Sequence, residues 1–280
     1  MIRRIVLLAL AMTAALGAAE PPKRIVSLIP AVTEMIFAMG EESRLVGVSS
    51  YDRFPPQVAS IAKVVGLLDP NVERLLALRP DLVIVYNTQQ ELKQRLERAA
   101  IPMYLYEHRG LPDITGTVRA VGARIGSADA ANRVASKMES DLAAIRRSVA
   151  GQTRPKTLLV FGRDAGSLRN IDASGGYGFL HDMLDIAGGE DMFADIAKQS
   201  VETTTEMILT RRPDIIIELR YGDSATSLDV KRELAAWDAL PSVPAVRNHR
   251  VYLLVGDEFV VPGPRVVDAT RKLAQTLHQK

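Results

Sequence analysis

One segment occurs twice in this chain. Residues 73–84 read ERLLALRPDLVI and residues 206–217 read EMILTRRPDIII. At a constant offset of 133, Glu73 falls on Glu206, Leu76 on Leu209, and Arg79-Pro80-Asp81 on Arg212-Pro213-Asp214. KRIVSL (23–28) and KTLLVF (156–161) align at the same offset. The 280 residues therefore read as two similar halves, each long enough for its own core. Apolar residues make up 47% of the chain, which argues against disorder. Each copy reads as a helix, a Pro-ended turn, an Asp and a buried strand, as an αβ unit requires.

The rest of the chain extends that pattern. RIVSLIP (24–30) is a buried strand. Pro30 opens a short helix that Gly40 stops, and RLVGVSS (44–50) is a second strand. Asn71 and its counterpart Thr204 are capping-type residues ahead of the repeated helices. DLVIVY (81–86) is a strand, QQELKQRLERAA a helix and PMYLYE (102–107) a strand. Between Ser127 and Val149 there is no proline or glycine. Val134, Met138, Leu142, Ile145 and Val149 recur there at spacings of three and four, the signature of one amphipathic helix. Ser127 is its expected N-cap and Gly151 its stop. A glycine-rich insertion (162–178) then precedes the helix FLHDMLDIAGG. The strands DIIIEL (214–219) and RVYLLV (250–255) follow, and PRVVDATRKLAQTLHQ is the closing helix. The expected fold is α/β: two similar lobes with mostly parallel sheets, joined by one long rigid helix, with a ligand cleft between them.

The N-terminus reads as a secretory signal. Arg3 and Arg4 precede the apolar run IVLLALAMTAAL, and Gly17 and Ala19 suit a cleavage site before Glu20. Twelve helical residues span roughly 18 Å, short of the roughly 30 Å of a bilayer core. Removing residues 1–19 takes away two arginines and no acid, leaving 33 basic against 33 acidic side chains. Such a balance excludes a general attraction to nucleic acid. With no cysteine there are no disulfides, thiolate metal sites or lipid-modified N-terminal cysteine. The expectation is a monomeric, exported, periplasmic protein.

Catalytic signatures are scarce. There is no G-x-S-x-G, P-loop or H-E-x-x-H motif, and His108, His181, His249 and His278 are not paired at helical spacing. In open α/β sheets, ligands bind beyond the strands' C-terminal ends. There the sequence places Pro30, Ala31, Tyr51 and Tyr86 in the first half, and Arg163, Arg220, Tyr221, Asp257 and Phe259 in the second. With only 5% aromatics overall, tyrosines at three strand ends suggest a cleft for a large planar ligand. The glutamates Glu73 and Glu206 are only partly accounted for as helix-start acids.

RIVSLIPAVTE, LVGVSSYDRFP, VERLLALRPDLVI, AGGEDMF and TEMILTRRPDIII resemble the ABC-importer substrate-binding proteins of the helical-backbone class. These take up vitamin B12, haem and ferric siderophores. The resemblance covers residues 24 to about 275 and is nearest the vitamin B12-binding branch. It implies a permease dimer with its ATPase subunits as partner, docked through Glu73 and Glu206. It also implies cobalamin or a related corrinoid as ligand, touching Tyr51, Tyr86 and Asp257, with no catalytic cofactor. Leu67 and Ser200 stand where that branch has tryptophans, and Val261 where it has an arginine. These departures keep a ferric siderophore or haem open as ligand. A secreted metal-assisted enzyme using His108 or His181, and a sensor that has lost transport, are the other classes. The expected organisation is a signal peptide (1–19), an N-terminal lobe (20–112), a helical bridge (113–152) and a C-terminal lobe (153–280).

Overall fold

The computed structural model describes residues 20–64, 71–108, 110–222 and 229–279. The expected signal segment and Leu67 lie outside these. The first sheet is built from β1 (Ile25–Ser27), β2 (Leu45–Ser49), β3 (Lys63–Val64), β4 (Leu82–Tyr86) and β5 (Met103–Tyr106). Its order is β3-β2-β1-β4-β5, and every pairing is parallel. The helices α1 (Pro30–Ala38), α2 (Val72–Ala77) and α3 (Gln90–Arg98) connect these strands. Two helices, α4 (Leu111–Arg124) and α5 (Ala128–Ser148), carry the chain to the second half.

There the strands are β6 (Lys156–Gly162), β7 (Ile171–Ser174), β8 (Glu190–Asp191), β9 (Ser200–Thr203), β10 (Ile215–Arg220) and β11 (Val251–Val255). The helices are α6 (Phe179–Ile186), α7 (Thr205–Arg211), α8 (Val230–Ala235), α9 (Pro244–Arg247) and the closing α10 (Val266–His278). The sheet order is β11-β10-β6-β7-β9, with β8 beside the start of β6. The pairings of β10 with β6 and β11 are parallel, whereas β7 runs antiparallel to both neighbours. The halves thus match on one side of the central strand, where β4-β5 corresponds to β10-β11. They differ on the other, where the glycine-rich insertion contributes an antiparallel strand, β7.

The repeated stretches do the same work twice. Asn71 accepts from the Arg74 N–H (2.9 Å) and Thr204 from the Met207 N–H (3.3 Å), so both short helices are capped by a side chain. Leu75 and Ile208, both fully buried, anchor the helices to their sheets. Each such burial contributes about 1.5–3 kcal/mol. The residue before proline does leave the α region, but not toward extended backbone. Arg79 (φ 47°) and Arg212 (φ 52°) end the helices in the left-handed region. The following Asp then fastens the central strand. The Asp81 carboxylate accepts from the Lys23 and Arg24 N–H groups at 2.8 Å each, and Asp214 accepts from the Lys156 N–H at 3.1 Å.

Alternation along the strands divides the core. Val26, Val83 and Val85 pack with Leu75, Leu92 and Leu96 on one face of the first sheet. Leu158, Val160 and Ile216 pack with Ile208 and Trp237 on one face of the second. The opposite faces share one cluster, in which Ile25 and Ile84 join Leu159, Ile217 and Leu273 through Val118, Met138 and Leu142 of α4 and α5. The helix expected over 127–149 is present as α5, but α4 beside it carries Pro112, Gly116 and Gly122 and escaped the sequence reading. Gly122 is needed where α4 and α5 cross, since a Cβ there would lie 2.1 Å from the Ala131 Cβ. Ser127 stands at the N-cap of α5 but makes no capping bond; its hydroxyl donates to Glu41 instead. No helix among the described residues is long and apolar enough to cross a membrane.

Candidate ligand-binding site

The C-terminal edges of the two sheets face each other, and three contacts fix how. Glu34, at the end of the S-x-x-P-x-x-T-E stretch, lies in α1. It accepts two bonds from Arg265 of the other half, Nη2 to Oε1 at 2.5 Å and Nε to Oε2 at 2.9 Å. The same guanidinium sits 4.2 Å above the Phe54 ring and 3.3 Å from Glu258. Asp182 of α6 accepts from the Leu111 N–H at 2.8 Å. His108 meets Phe179 edge-on at 5.2 Å. Burial lifts the Glu34 carboxyl despite Arg265, whereas the Arg265 pKa stays above its usual value, burial being outweighed by Glu34. The bidentate geometry holds the pair in its ionised form.

Aromatic rings collect along this junction. Tyr86 packs edge-on against Tyr106 at 5.4 Å, and Tyr106 stacks with His108 at 6.4 Å. Burial holds the Tyr86 hydroxyl protonated and keeps the His108 imidazole neutral by lowering its pKa. Tyr51 (54% exposed), Phe54 (41%), Tyr177 (44%) and Tyr221 (39%) are the exposed aromatics among the described residues. A cavity of about 310 Å³ lies at the edge of the second sheet, lined by Phe161, Tyr177, Phe179, Ser200, Tyr221 and Val260. A second of about 270 Å³ adjoins it through Phe161 and Tyr221. Ser200, where a tryptophan was noted in the B12 branch, borders the larger one and leaves that space open.

Several expected contacts are placed differently. Arg163 is turned inward with its side chain inaccessible. It pairs with Glu218 at 2.5 Å and Glu233 at 3.0 Å. Arg220 joins the same cluster, 3.1 Å from Glu218 and 3.4 Å from Glu233. Two arginines against two glutamates leave no net charge, which corrects the expectation that Arg163 and Arg220 are ligand contacts. Phe259 is fully buried in the shared core, with Lys272 above its ring at 5.7 Å, and presents nothing to the cleft. Ala31 is likewise buried, at 2% exposure. Pro30 is half-buried at the first turn of α1. Asp257 accepts from the Gly222 N–H at 2.7 Å and so ties down the segment after β10. Glu73 and Glu206 are exposed, one on each half, and neither lines a cavity described above. Tyr177, Phe161, Phe179 and Phe54 were missed. The available signal was two rings, Tyr177 and Phe179, inside a glycine run of a chain poor in aromatics.

Those glycines have a structural use. A Cβ on Gly175 would meet the Lys198 carbonyl oxygen at 2.3 Å, and one on Gly176 the Ala194 carbonyl oxygen at 2.2 Å. Their role is close backbone packing that sets Tyr177 at the rim. His181 faces Asp191 at 3.4 Å, the ordinary partnering of a half-buried histidine. No cluster of three or more His, Asp or Glu side chains suited to a metal ion occurs among the described residues.

A two-lobed chain of this kind, with parallel-dominated sheets, a helical connection and an aromatic cleft at facing strand ends, has the build of a solute-binding protein. The chain belongs to the periplasmic binding protein family, whose model matches residues 25–257. It is 26% identical to an uncharacterised ABC transporter substrate-binding lipoprotein, YvrC, of Bacillus subtilis, covering 92% of this chain and 81% of that one. It is 29% identical to the vitamin B12-binding protein of Salmonella typhimurium, over 91% of this chain and 90% of the relative. Among solved structures, a possible iron-binding protein of Staphylococcus epidermidis superposes with a TM-score of 0.81 at 22% identity, covering 93% of this chain and 100% of that one. The vitamin B12-binding protein BtuF of Vibrio cholerae superposes at 0.75 with 25% identity, covering 92% and 97%. The haem-binding protein HutB of Vibrio cholerae superposes at 0.78 with 19% identity, covering 91% and 98%. All of these are described as binding proteins.

Proposed function

We propose that this protein captures a corrinoid outside the cytoplasmic membrane and delivers it to an ABC importer. The observation that carries the reading is the charge-neutral cavity rimmed by Tyr177 and Tyr221, with Tyr51 and Phe54 the other exposed rings among the described residues. Rings of this kind cover a large, flat, partly apolar ligand, and a neutral wall does not demand an anion. Tyr86, Pro30 and Asp257 border the same junction, Asp257 as a polar contact for the ligand's rim. The likeness to vitamin B12-binding relatives supports a corrinoid; the likeness to iron- and haem-binding structures supports a metal-bearing ligand of similar size. In the delivery step, Glu73 and Glu206 dock on a permease dimer that carries its ATPase subunits. The mature, monomeric protein begins near Glu20.

The test is a titration of the purified protein with cyanocobalamin, cobinamide, haemin and a ferric siderophore, followed by visible absorption. Cyanocobalamin or cobinamide is expected to bind most tightly. Tyr51→Ala and Tyr221→Ala should each weaken that binding about tenfold, as removal of roughly 1.5 kcal/mol of ring contact predicts. Tight binding of haemin or the siderophore with no corrinoid binding at high micromolar concentration would move the protein to the alternative ligand.

A further inference from the structure

We propose that Leu76 and Leu209 are the apolar halves of two equivalent docking pads, which fit the two membrane subunits of the importer. The inference rests on the delivery role proposed above and adds to it the part of the surface that does not carry charge. Leu76 is 38% exposed and Leu209 is 39% exposed, and the two occupy the same position of the internal repeat. A lone exposed leucine needs no explanation. Here the exposure recurs in both halves, beside the same carboxylate, on surfaces that have otherwise diverged: Arg74 faces Met207 in the alignment, and Ala77 faces Thr210.

The fold does not require either leucine. Each helix is capped by its own Asn71 or Thr204 side chain and held by its own buried neighbour, Leu75 or Ile208. Residues three apart share a helix side, so Glu73 stands with Leu76 and Glu206 with Leu209. Neither glutamate forms an ion pair within the chain among the described residues. The Glu206 carboxyl is held below its usual pKa by its own backbone N–H and then by the Thr204 hydroxyl, so it is charged. Each pad is therefore a carboxylate with no ion-pair partner among the described residues, beside an exposed apolar side chain. Its complement is a cation next to a shallow apolar recess. An apolar contact at the flank of an ion pair keeps water from it and strengthens it. Two copies of the pad on one chain call for two copies of the recess, as a pair of like membrane subunits provides.

The chain has no cysteine, so Leu76→Cys and Leu209→Cys each create a single thiol for a photo-crosslinker. The labelled proteins are illuminated on right-side-out membrane vesicles from the cells of origin, with Glu73→Cys and Glu206→Cys as companions. The expected result is capture of one and the same polypeptide, a membrane subunit of an ABC transporter, through the same segment from both leucine sites. The Leu76→Ser, Leu209→Ser double variant should keep its thermal midpoint and lose at least tenfold in vesicle affinity. Capture from the glutamate sites alone would refute the pads and leave delivery intact. Silence at all four sites would overturn both. Different polypeptides at the two leucines, or a second copy of this chain, would also refute the pads.

Discussion

Glu218 shows what a single side chain does in this molecule. It is fully buried in the middle of β10 and accepts from Arg163 and, at 2.6 Å, from the indole N–H of the lone tryptophan, Trp237. Arg163 also donates to the Asp164, Ser167 and Glu233 carbonyls. The cluster thereby stitches β6, the insertion after it and α8 together. Replacing one partner leaves the other buried and uncompensated. Arg163→Met is therefore expected to destabilise the protein by about 3–5 kcal/mol in chemical denaturation. A loss under 1 kcal/mol would mean the network is not buried as described. The sequence placed Arg163 and Arg220 at strand ends correctly and misjudged what they do there. A strand-end arginine looks the same in the sequence whether it faces a ligand or an acid 55 residues away.

Elements were legible where a local rule forced them. The strands β1, β4, β6 and β10, the capped helices between them and the long α5 follow from β-branched runs, capping residues and period. The parts that escaped were set by distant packing. β7 forms because β6 offers it an edge, and α4 holds together despite its glycines because Gly122 lets it lie against α5. The site was legible to the same extent: tyrosines at strand ends could be counted, but the facing of the two sheet edges is fixed by Glu34 and Arg265, 231 positions apart. The repeated Asp is a case where an element's start depends on one carboxylate. Asp81 holds two backbone N–H groups and Asp214 one. Asp81→Ala should cost about 1–2 kcal/mol and Asp214→Ala about half that, measured as shifts in urea midpoint. Equal losses would show that the carboxylates act through the turn rather than through the strand.

At the scale of the whole molecule, the two halves are not independent bodies on a tether. Each sheet keeps a private cluster on its outer face, but the inner faces and both connecting helices belong to one cluster. The Glu34–Arg265 pair and the Phe54 ring close the same junction from the cleft side. Opening the halves far apart would expose apolar surface from both, so ligand entry is expected to involve a small adjustment rather than a wide swing. The shared cluster also governs how the chain comes apart on heating. Neither half can melt while the other stays whole, because each would leave its neighbour's inner face wet. Scanning calorimetry is expected to give one heat-absorption peak whose calorimetric and van't Hoff enthalpies agree. Two resolved peaks would mean that the halves melt separately. The internal repeat thus describes two similar halves folded around one shared core.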